Sequence, residues 1–137
     1  MVTTALIADD NPAFQDIIRS VLEFVGYEVE SVFNGHEALE TLKKRCFHAL
    51  FLDLNMPILS GNGVLEVVRS LPGCQDMFIV VVTANPHMLI DEMDNADFVM
   101  MKPIQVEELA KFAERIMQSP RISAPSNGPD PLERRSI

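Results

Sequence analysis

The sequence predicts a doubly wound α/β domain, in which helices cover both faces of a parallel β-sheet. Short apolar runs alternate along the chain with segments whose apolar residues recur at the 3.6-residue period of a helix. Most of the apolar runs lack an alternation of polar and apolar residues, which is typical of strands buried on both faces of a sheet. Strand and helix alternate five times, and this order implies parallel strands joined by right-handed crossovers.

Five strands are predicted from these apolar runs. The run that begins at Phe78 is the most strand-like, since it is β-branched and uninterrupted. The run that begins at Tyr27 is the exception, because Val29 alone is apolar between Glu28 and Glu30. The predicted strands are Thr4–Ala8, Tyr27–Phe33, Ala49–Leu52, Phe78–Thr83 and Phe98–Met101.

The helices are predicted from their periodicity and from the residues that start and stop them. Asn11 and Pro12 combine a preferred N-cap with a preferred first helical residue, and Gly26 ends the same helix. Asn34 and Gly35 form the turn before the second helix. The predicted helices are Pro12–Val25, a segment around Ala38–Leu42, about Val64–Leu71, a short one near His87–Asp94, and about Val106–Gln118.

Composition is that of one globular domain followed by a tail. The 137 residues suffice for a hydrophobic core, and 47% of them are hydrophobic. Residues 1–118 are predicted to form the domain, and residues 119–137 to form a flexible tail or linker rich in proline and serine. The formal charge of −9 argues against direct binding to nucleic acid or to anionic lipid.

Cellular location is predicted from the cysteines and from the absence of long apolar segments. No apolar run is long enough to cross a bilayer, and no export signal opens the sequence. Cys46 and Cys74 are therefore expected to be free thiols in a reducing compartment. Together these features predict a cytoplasmic protein that does not associate with membranes.

Polar side chains stand where several of the predicted strands end. Asp9 and Asp10 follow the first strand, Asp53 follows the third, Thr83 closes the fourth and Lys102 follows the fifth. A lone Asp53 would usually be interpreted as a turn residue. The carboxyl ends of parallel strands meet at one edge, where α/β proteins bind ligands, so these groups are expected to share a cleft. Three carboxylates together predict a Mg²⁺ site, and a carboxylate beside a cation can accept a phosphoryl group.

These motifs resemble the receiver domain of two-component response regulators over nearly everything from Thr4 to Gln118. The motifs are Asp9-Asp10, the run Asp53-Leu54-Asn55-Met56-Pro57 followed by Gly61, Thr83-Ala84, and Lys102-Pro103. The resemblance implies a flavodoxin-like fold with five parallel strands in the order 2-1-3-4-5. It also implies a cis peptide bond between Lys102 and Pro103.

The resemblance further implies a function for the site. Asp53 is expected to accept a phosphoryl group from a histidine kinase or phosphotransfer protein. Asp10, Asp53 and the main-chain carbonyl of Asn55 are expected to hold Mg²⁺, with Asp9 acting on the ion mainly through water. A signalling protein of this kind is not an enzyme, beyond slow removal of its own phosphoryl group.

Two further residues are expected to report phosphorylation to a downstream partner protein. The resemblance implies that Lys102 pairs with Asp53 before phosphoryl transfer and with the phosphoryl oxygen afterwards. Thr83 is expected to move its hydroxyl onto the phosphoryl group and to draw the following loop inward. Formation of a weak homodimer is left open.

Val99 is the main departure from the family pattern. Receiver domains commonly carry an aromatic residue or histidine three positions before the final lysine, where it acts as a rotamer switch. Phe98 cannot replace that group, because consecutive strand residues point to opposite faces. We hypothesise that output depends on the loop after Thr83 and on a shortened fourth helix. Phe112 is interpreted either as an exposed partner contact or as an extra core residue.

Two alternatives to a phosphorylated receiver remain at this stage. One is a phosphohydrolase that uses Asp53 as nucleophile, in the manner of the haloacid dehalogenase superfamily. That superfamily places a second acid two residues after the nucleophile, and Asn55 stands there instead. The other is a receiver-like module that binds partners without phosphorylation; Val99 favours it, whereas the intact acids, Thr83 and Lys102 count against it.

Overall fold

A computed structural model of the chain describes residues 2–84 and 96–123. Its five strands form one parallel sheet in the order β2-β1-β3-β4-β5. The predicted fold class and strand order are thereby confirmed. The strands are β1 Thr4–Ala8, β2 Glu28–Val32, β3 Ala49–Leu52, β4 Phe78–Thr83 and β5 Phe98–Met101.

Five helices lie within the described ranges. They are α1 Pro12–Val25, α2 Gly35–Lys44, α3 Gly61–Val68, α4 Val106–Gln118 and α5 Pro120–Ser123. The helix predicted near His87–Asp94 falls outside the described residues, while α3 begins three residues earlier than predicted and ends three residues earlier. None of the helices within 2–84 and 96–123 is long and apolar enough to span a membrane.

The start of α1 is fixed directly after the acidic pair. The side chain of Asn11 accepts hydrogen bonds from the amides of Ala13 and Phe14, at 2.8 and 3.3 Å. Pro12 occupies the first turn, where its missing N–H is not needed. Gly26 ends the helix with φ of 122°, a conformation that glycine tolerates at little cost.

Each face of the sheet contributes to a separate apolar cluster. Consecutive strand residues point to opposite faces, so neighbouring residues of one strand belong to different clusters. The cluster under α2 and α3 includes Leu6, Ala8, Leu50, Leu52, Ile79 and Val81. The cluster under α1 and α4 includes Ala5, Ile7, Phe51, Phe78, Val80 and Leu109. Because helices cover both faces of the sheet, polar side chains can reach solvent at the ends of the strands.

Phe112 packs against the core. Its ring meets the ring of Phe98 edge to face at a centroid distance of 4.7 Å, and Phe98 in turn lies 6.1 Å from Phe78. Both Phe98 and Phe112 are partly buried against the cluster under α1 and α4. Of the two interpretations of Phe112, the structure favours the core residue.

The prediction that the two cysteines are free thiols is wrong. Cys46, just after α2, and Cys74, in the loop before β4, form a disulfide with their Cα atoms 5.5 Å apart. This Cα distance is typical of a disulfide. A separation of 28 residues carries no information about spatial pairing, so the contact emerges only when α2 and α3 pack side by side. One of the two arguments for a cytoplasmic location is thereby lost.

The first residues after α4 pack against the domain through Arg121. The Arg121 guanidinium donates to the main-chain carbonyls of Asp76 and Met77, each at 2.9 Å, and to the carboxylate of Asp97 at 2.9 Å. It also lies 3.9 Å from the centroid of the Phe78 ring. The chain through residue 123 is therefore tied to the end of the sheet where β4 begins. The domain boundary at residue 118 stays a prediction.

Candidate functional site

The structure brings the predicted acids together at the carboxyl edge of the sheet. Asp9 is 1% exposed and Asp53 is 5% exposed, whereas Asp10 lies at the surface. Each of the three offers a carboxylate oxygen, and these oxygens lie within 4.8 Å of one another. Two buried acids and one exposed acid thus form a cluster that is open to solvent on one side.

Asp9 is held by contacts from two parts of the chain. The amide of Asn11 donates to its Oδ1 at 2.9 Å, and the ammonium of Lys102 donates to its Oδ2 at 2.9 Å. Its own amide donates to the carbonyl of Val32 at 3.2 Å, which continues the pairing of β1 with β2. Both carboxylate oxygens of Asp9 therefore have donors, and the orientation of this side chain is set.

Asp53 follows β3 and is oriented by its own loop. Its amide donates to the carbonyl of Ala8 at 2.9 Å, and its Oδ1 accepts from the amide of Asn55 at 3.2 Å. The ammonium of Lys102 lies 3.5 Å from its Oδ2. Lys102 thus sits between Asp9 and Asp53, with the shorter contact to Asp9 and not to Asp53, the partner the family resemblance implies.

Burial raises the pKa of the Asp53 carboxyl above its ordinary value. The amide of Asn55 and the charge of Lys102 lower the pKa, and the neighbouring charges of Asp9 and Asp10 raise it again. The net shift is upward, because burial is the largest of these contributions and the two neighbouring carboxylates add to it. An additional cation at this cluster would relieve the repulsion that remains.

The donor set fits Mg²⁺. Carboxylate oxygens are hard ligands of the kind that Mg²⁺ prefers, and the exposed position of Asp10 leaves room for the waters that this ion retains. Asp9, Asp10 and Asp53 are the residues that would hold the ion. Asn55 contacts Asp53 through its amide, and the predicted role of its carbonyl as a metal ligand stays a prediction.

Gly61 is required by the loop that follows Asp53. Its amide donates to the carbonyl of Leu54 at 3.0 Å, and a Cβ at this position would come within 2.3 Å of the carbonyl oxygen of Asp53. Real Cβ atoms do not approach backbone atoms so closely. Because α3 starts at Gly61, the helix and the loop are pressed directly against the backbone of the site.

Thr83 and Lys102 end neighbouring strands at the same edge. Thr83 is 1% exposed, and its carbonyl accepts from the amide of Lys102 at 2.9 Å. The peptide bond between Lys102 and Pro103 is cis, as predicted. Val99 is 38% exposed on the edge strand β5.

Two residues at the site were not identified from the sequence. The ring of Phe14 lies 4.1 Å from the ammonium of Lys102. The side-chain amide of Gln15 is buried and donates to three main-chain carbonyls at the ends of β1 and β2. The sequence signal for both residues was their position near the start of α1, directly after Asp9 and Asp10, which indicates that they lie beside the site.

Fold and site together define a class of protein. It is a doubly wound α/β domain with an acidic cluster, a lysine and a threonine at the carboxyl edge of its sheet. The family model described as response regulator receiver domain matches residues 5–114. The chain therefore belongs to the response regulator receiver domain family, and the resemblance stated from the motifs is confirmed.

Individual relatives agree with this assignment. The chain is 34% identical over 134 residues to the response regulator MprA of Mycobacterium sp. (strain KMS), covering 95% of this chain and 56% of that protein. It is 29% identical over 130 residues to the signal transduction histidine-protein kinase BarA of Escherichia coli (strain K12), covering 90% of this chain and 14% of that protein. The chain thus spans about half of one curated relative and a small part of the other.

The chain is also similar to a solved structure that contains Mg²⁺. The response regulator TrrA from Thermotoga maritima, in complex with Mg²⁺ and BeF, matches with a TM-score of 0.75 and 28% sequence identity. The match covers 84% of this chain and 99% of that chain. Receiver domains are signalling modules of two-component systems, and this chain shares both their fold and their cluster of acids.

Proposed function

We propose that this domain accepts a phosphoryl group on Asp53 from a histidine kinase or phosphotransfer protein, in a reaction that depends on Mg²⁺. The observation that carries the proposal is the geometry of the cluster. Three carboxylate oxygens lie within 4.8 Å of one another, and the ammonium of Lys102 reaches two of the three carboxylates. Clustered acids with a fixed cation suit the binding of a divalent ion and of phosphoryl oxygens.

In the proposed transfer, a carboxylate oxygen of Asp53 attacks the phosphorus of a phosphohistidine. The P–N bond breaks, its electron pair returns to the imidazole nitrogen, which takes up a proton, and an acyl phosphate forms on Asp53. Asp9, Asp10, Asp53 and the carbonyl of Asn55 would hold Mg²⁺. When bound, that ion neutralises charge on the phosphoryl oxygens.

Lys102 and Thr83 would detect the new phosphoryl group. Lys102 already lies 3.5 Å from Asp53 Oδ2, so a small movement would bring its ammonium to a phosphoryl oxygen. Thr83 closes the neighbouring strand β4, and its hydroxyl would turn toward the same group and draw the following loop inward. With Val99 in place of an aromatic residue, we infer that the signal passes through that loop.

A downstream partner protein would read this change. The curated relatives extend well beyond the region that this chain matches, so the chain itself gives no output domain to which the change would pass. The net charge of −9 supports a protein partner over direct contact with nucleic acid. We retain the cytoplasm as the predicted location and leave open a weak homodimer.

The test is phosphorylation with a small phosphodonor. The protein is incubated with acetyl phosphate and Mg²⁺, and its intact mass is measured for the wild type, for Asp53→Asn and for the control Asp16→Asn. Asp16 is exposed on α1, outside the cluster. We expect one added phosphoryl group in the wild type and in the control, and none in Asp53→Asn or when the metal is chelated.

Other results would select other functions. Absence of the adduct in the wild type would contradict the proposal and favour a module that binds partners without phosphorylation. Steady release of phosphate in large excess over protein would instead favour a phosphohydrolase. The amide of Asn55 donates to the Asp53 carboxylate. Its side chain is an amide, whereas a hydrolase of this kind needs an acid at that position, so we expect slow turnover at most.

A further inference from the structure

Among the residues that the structure describes, the ammonium of Lys102 contacts two carboxylates and one aromatic ring. It lies 2.9 Å from Asp9 Oδ2, 3.5 Å from Asp53 Oδ2, and 4.1 Å from the centroid of the Phe14 ring. The Lys102 side chain is 11% exposed. Two carboxylates and one aromatic face therefore surround this charge, and little of it is left to water.

We propose that Phe14 is a positioning residue for phosphoryl transfer: its ring face holds the ammonium of Lys102 over the two buried carboxylates. This inference rests on the proposed function of the site. The negative face of an aromatic ring attracts a cation, and the attraction is stronger when the pair is shielded from water.

An aromatic ring suits this place for a second reason. A carboxylate there would form an ion pair with Lys102 and compete with Asp53 and with the arriving phosphoryl oxygens. The ring attracts the ammonium without accepting its proton or neutralising its charge. Its apolar body also keeps water from one side of the ammonium. Lys102 thus stays directed at Asp9 and Asp53 and keeps its charge for the phosphoryl group.

The first turn of α1 places Phe14 accurately. The side chain of Asn11 caps this turn by accepting a hydrogen bond from the amide of Phe14 at 3.3 Å. The amide of Asn11 itself donates to Asp9 Oδ1 at 2.9 Å. One helical turn therefore orients both a carboxylate of the cluster and the ring beside its lysine. A shift of this turn would move both groups together.

A purely structural role does not account for Phe14. Among the described residues, the two apolar clusters that form the core do not include it, although they include Ile18 and Leu22 of the same helix. Its ring is partly buried. Within the described part of the chain, its ring contacts the ammonium of Lys102.

The test compares rates of phosphorylation of Asp53 by acetyl phosphate at saturating Mg²⁺. Phe14→Leu removes the aromatic face, Phe14→Tyr keeps it, and Phe24→Leu is the control on the same helix, at a side chain that is 89% exposed. We expect Phe14→Leu to lower the rate constant by about 3- to 10-fold, which is the range for loss of a partly shielded cation–π contact. Phe14→Tyr and Phe24→Leu should react at close to the wild-type rate.

A double-mutant comparison separates positioning from packing. If Phe14 acts through Lys102, Phe14→Leu should have no further effect on the rate in a Lys102→Met background. An equal rate for wild type and Phe14→Leu, or the same loss with and without Lys102, would overturn the inference. If wild type itself takes no phosphoryl group, it is the proposed function that fails. Should Phe14→Leu not fold, Phe14→Met replaces it, because it preserves apolar bulk without an aromatic face.

Discussion

Substitution of Asp53 by Asn should stabilise the folded domain when no divalent ion is bound. Asp53 is buried, and its carboxylate lies within 4.8 Å of oxygens of Asp9 and Asp10 and 3.5 Å from the ammonium of Lys102. At an effective dielectric constant of about 20, each repulsion is worth at least about 3 kcal/mol and the attraction about 5 kcal/mol. Removing the charge is then favourable by about 2 kcal/mol, and solvent screening at the exposed Asp10 reduces this to about 1–2 kcal/mol.

The measurement is thermal unfolding in EDTA at neutral pH. For a domain of this size, a gain of about 1–2 kcal/mol raises the midpoint by about 3–8 °C. Asp16→Asn is the matched control, since it removes an exposed carboxylate from α1 and should change the free energy of unfolding by less than about 0.5 kcal/mol. Mg²⁺ should stabilise the wild type more than Asp53→Asn, because the substitution removes a ligand of the proposed metal site.

The stabilisation should depend on pH with a defined sign. Burial raises the pKa of Asp53 in the folded chain, so folding favours the protonated form. The wild type therefore loses stability as the pH rises from the unfolded pKa of about 4 through the higher folded pKa. The advantage of Asp53→Asn should be absent in acid and should grow as the pH rises through the folded pKa of Asp53. If Asp53→Asn proves equal to or less stable than wild type in EDTA at neutral pH, the account of the cluster is wrong.

Three further predictions concern the scaffold. Reduction of the Cys46–Cys74 disulfide, whose cysteines are 28 residues apart, should lower the free energy of unfolding by about 3–4 kcal/mol, measured by urea denaturation with and without reductant. Gly61→Ala should destabilise the domain by about 2 kcal/mol or more, since its Cβ would press on backbone atoms; urea denaturation measures this too. Burial alone would raise the pKa of Asp97, but hydrogen bonds from Arg121 and other donors outweigh burial and lower it. Arg121→Ala should therefore destabilise the domain at neutral pH, and its deficit should shrink below about pH 4 in unfolding curves taken across pH.

Each scaffold prediction has a control. A variant without the two cysteines should not respond to reductant, and a response there would show that the disulfide is not the cause. Gly63→Ala introduces a Cβ whose nearest neighbours are side-chain atoms of Leu59, which can move more easily than backbone, so it should be milder than the change at Gly61. A deficit for Arg121→Ala that does not change with pH would exclude its coupling to Asp97.

Local sequence patterns were enough to predict the fold class, whereas the strand order 2-1-3-4-5 was implied by the family resemblance. The β-branched run at β4 and the capped, periodic segment of α1 each satisfy their backbone hydrogen bonds locally or with an adjacent strand, so propensity and periodicity are informative. Alternation of such elements restricts the topology to a parallel sheet. Element ends were less certain: Ser60 caps α3 by accepting a hydrogen bond from the amide of Gly63, so the helix begins at Gly61, three residues before Val64, where the apolar period starts.

Grouping of the acids was also predictable, for a geometric reason. In a parallel sheet every strand ends at the same edge, so a polar residue that closes a strand must lie near the others. Asp9 and Asp53 close the adjacent strands β1 and β3, and Lys102 closes β5. Residue types and strand order were therefore sufficient to predict the cluster and the kind of ion that it suits.

The sequence by itself thus determined the α/β architecture and the set of charged groups at one edge, because both depend on periodicity and on where strands end. Only the tertiary structure decided which of these groups touch. It brought Cys46 against Cys74, set Lys102 closer to Asp9 than to Asp53, and laid the ring of Phe14 against the lysine. Such contacts join residues far apart in the chain, and they depend on how helices pack on the sheet, which no local pattern specifies.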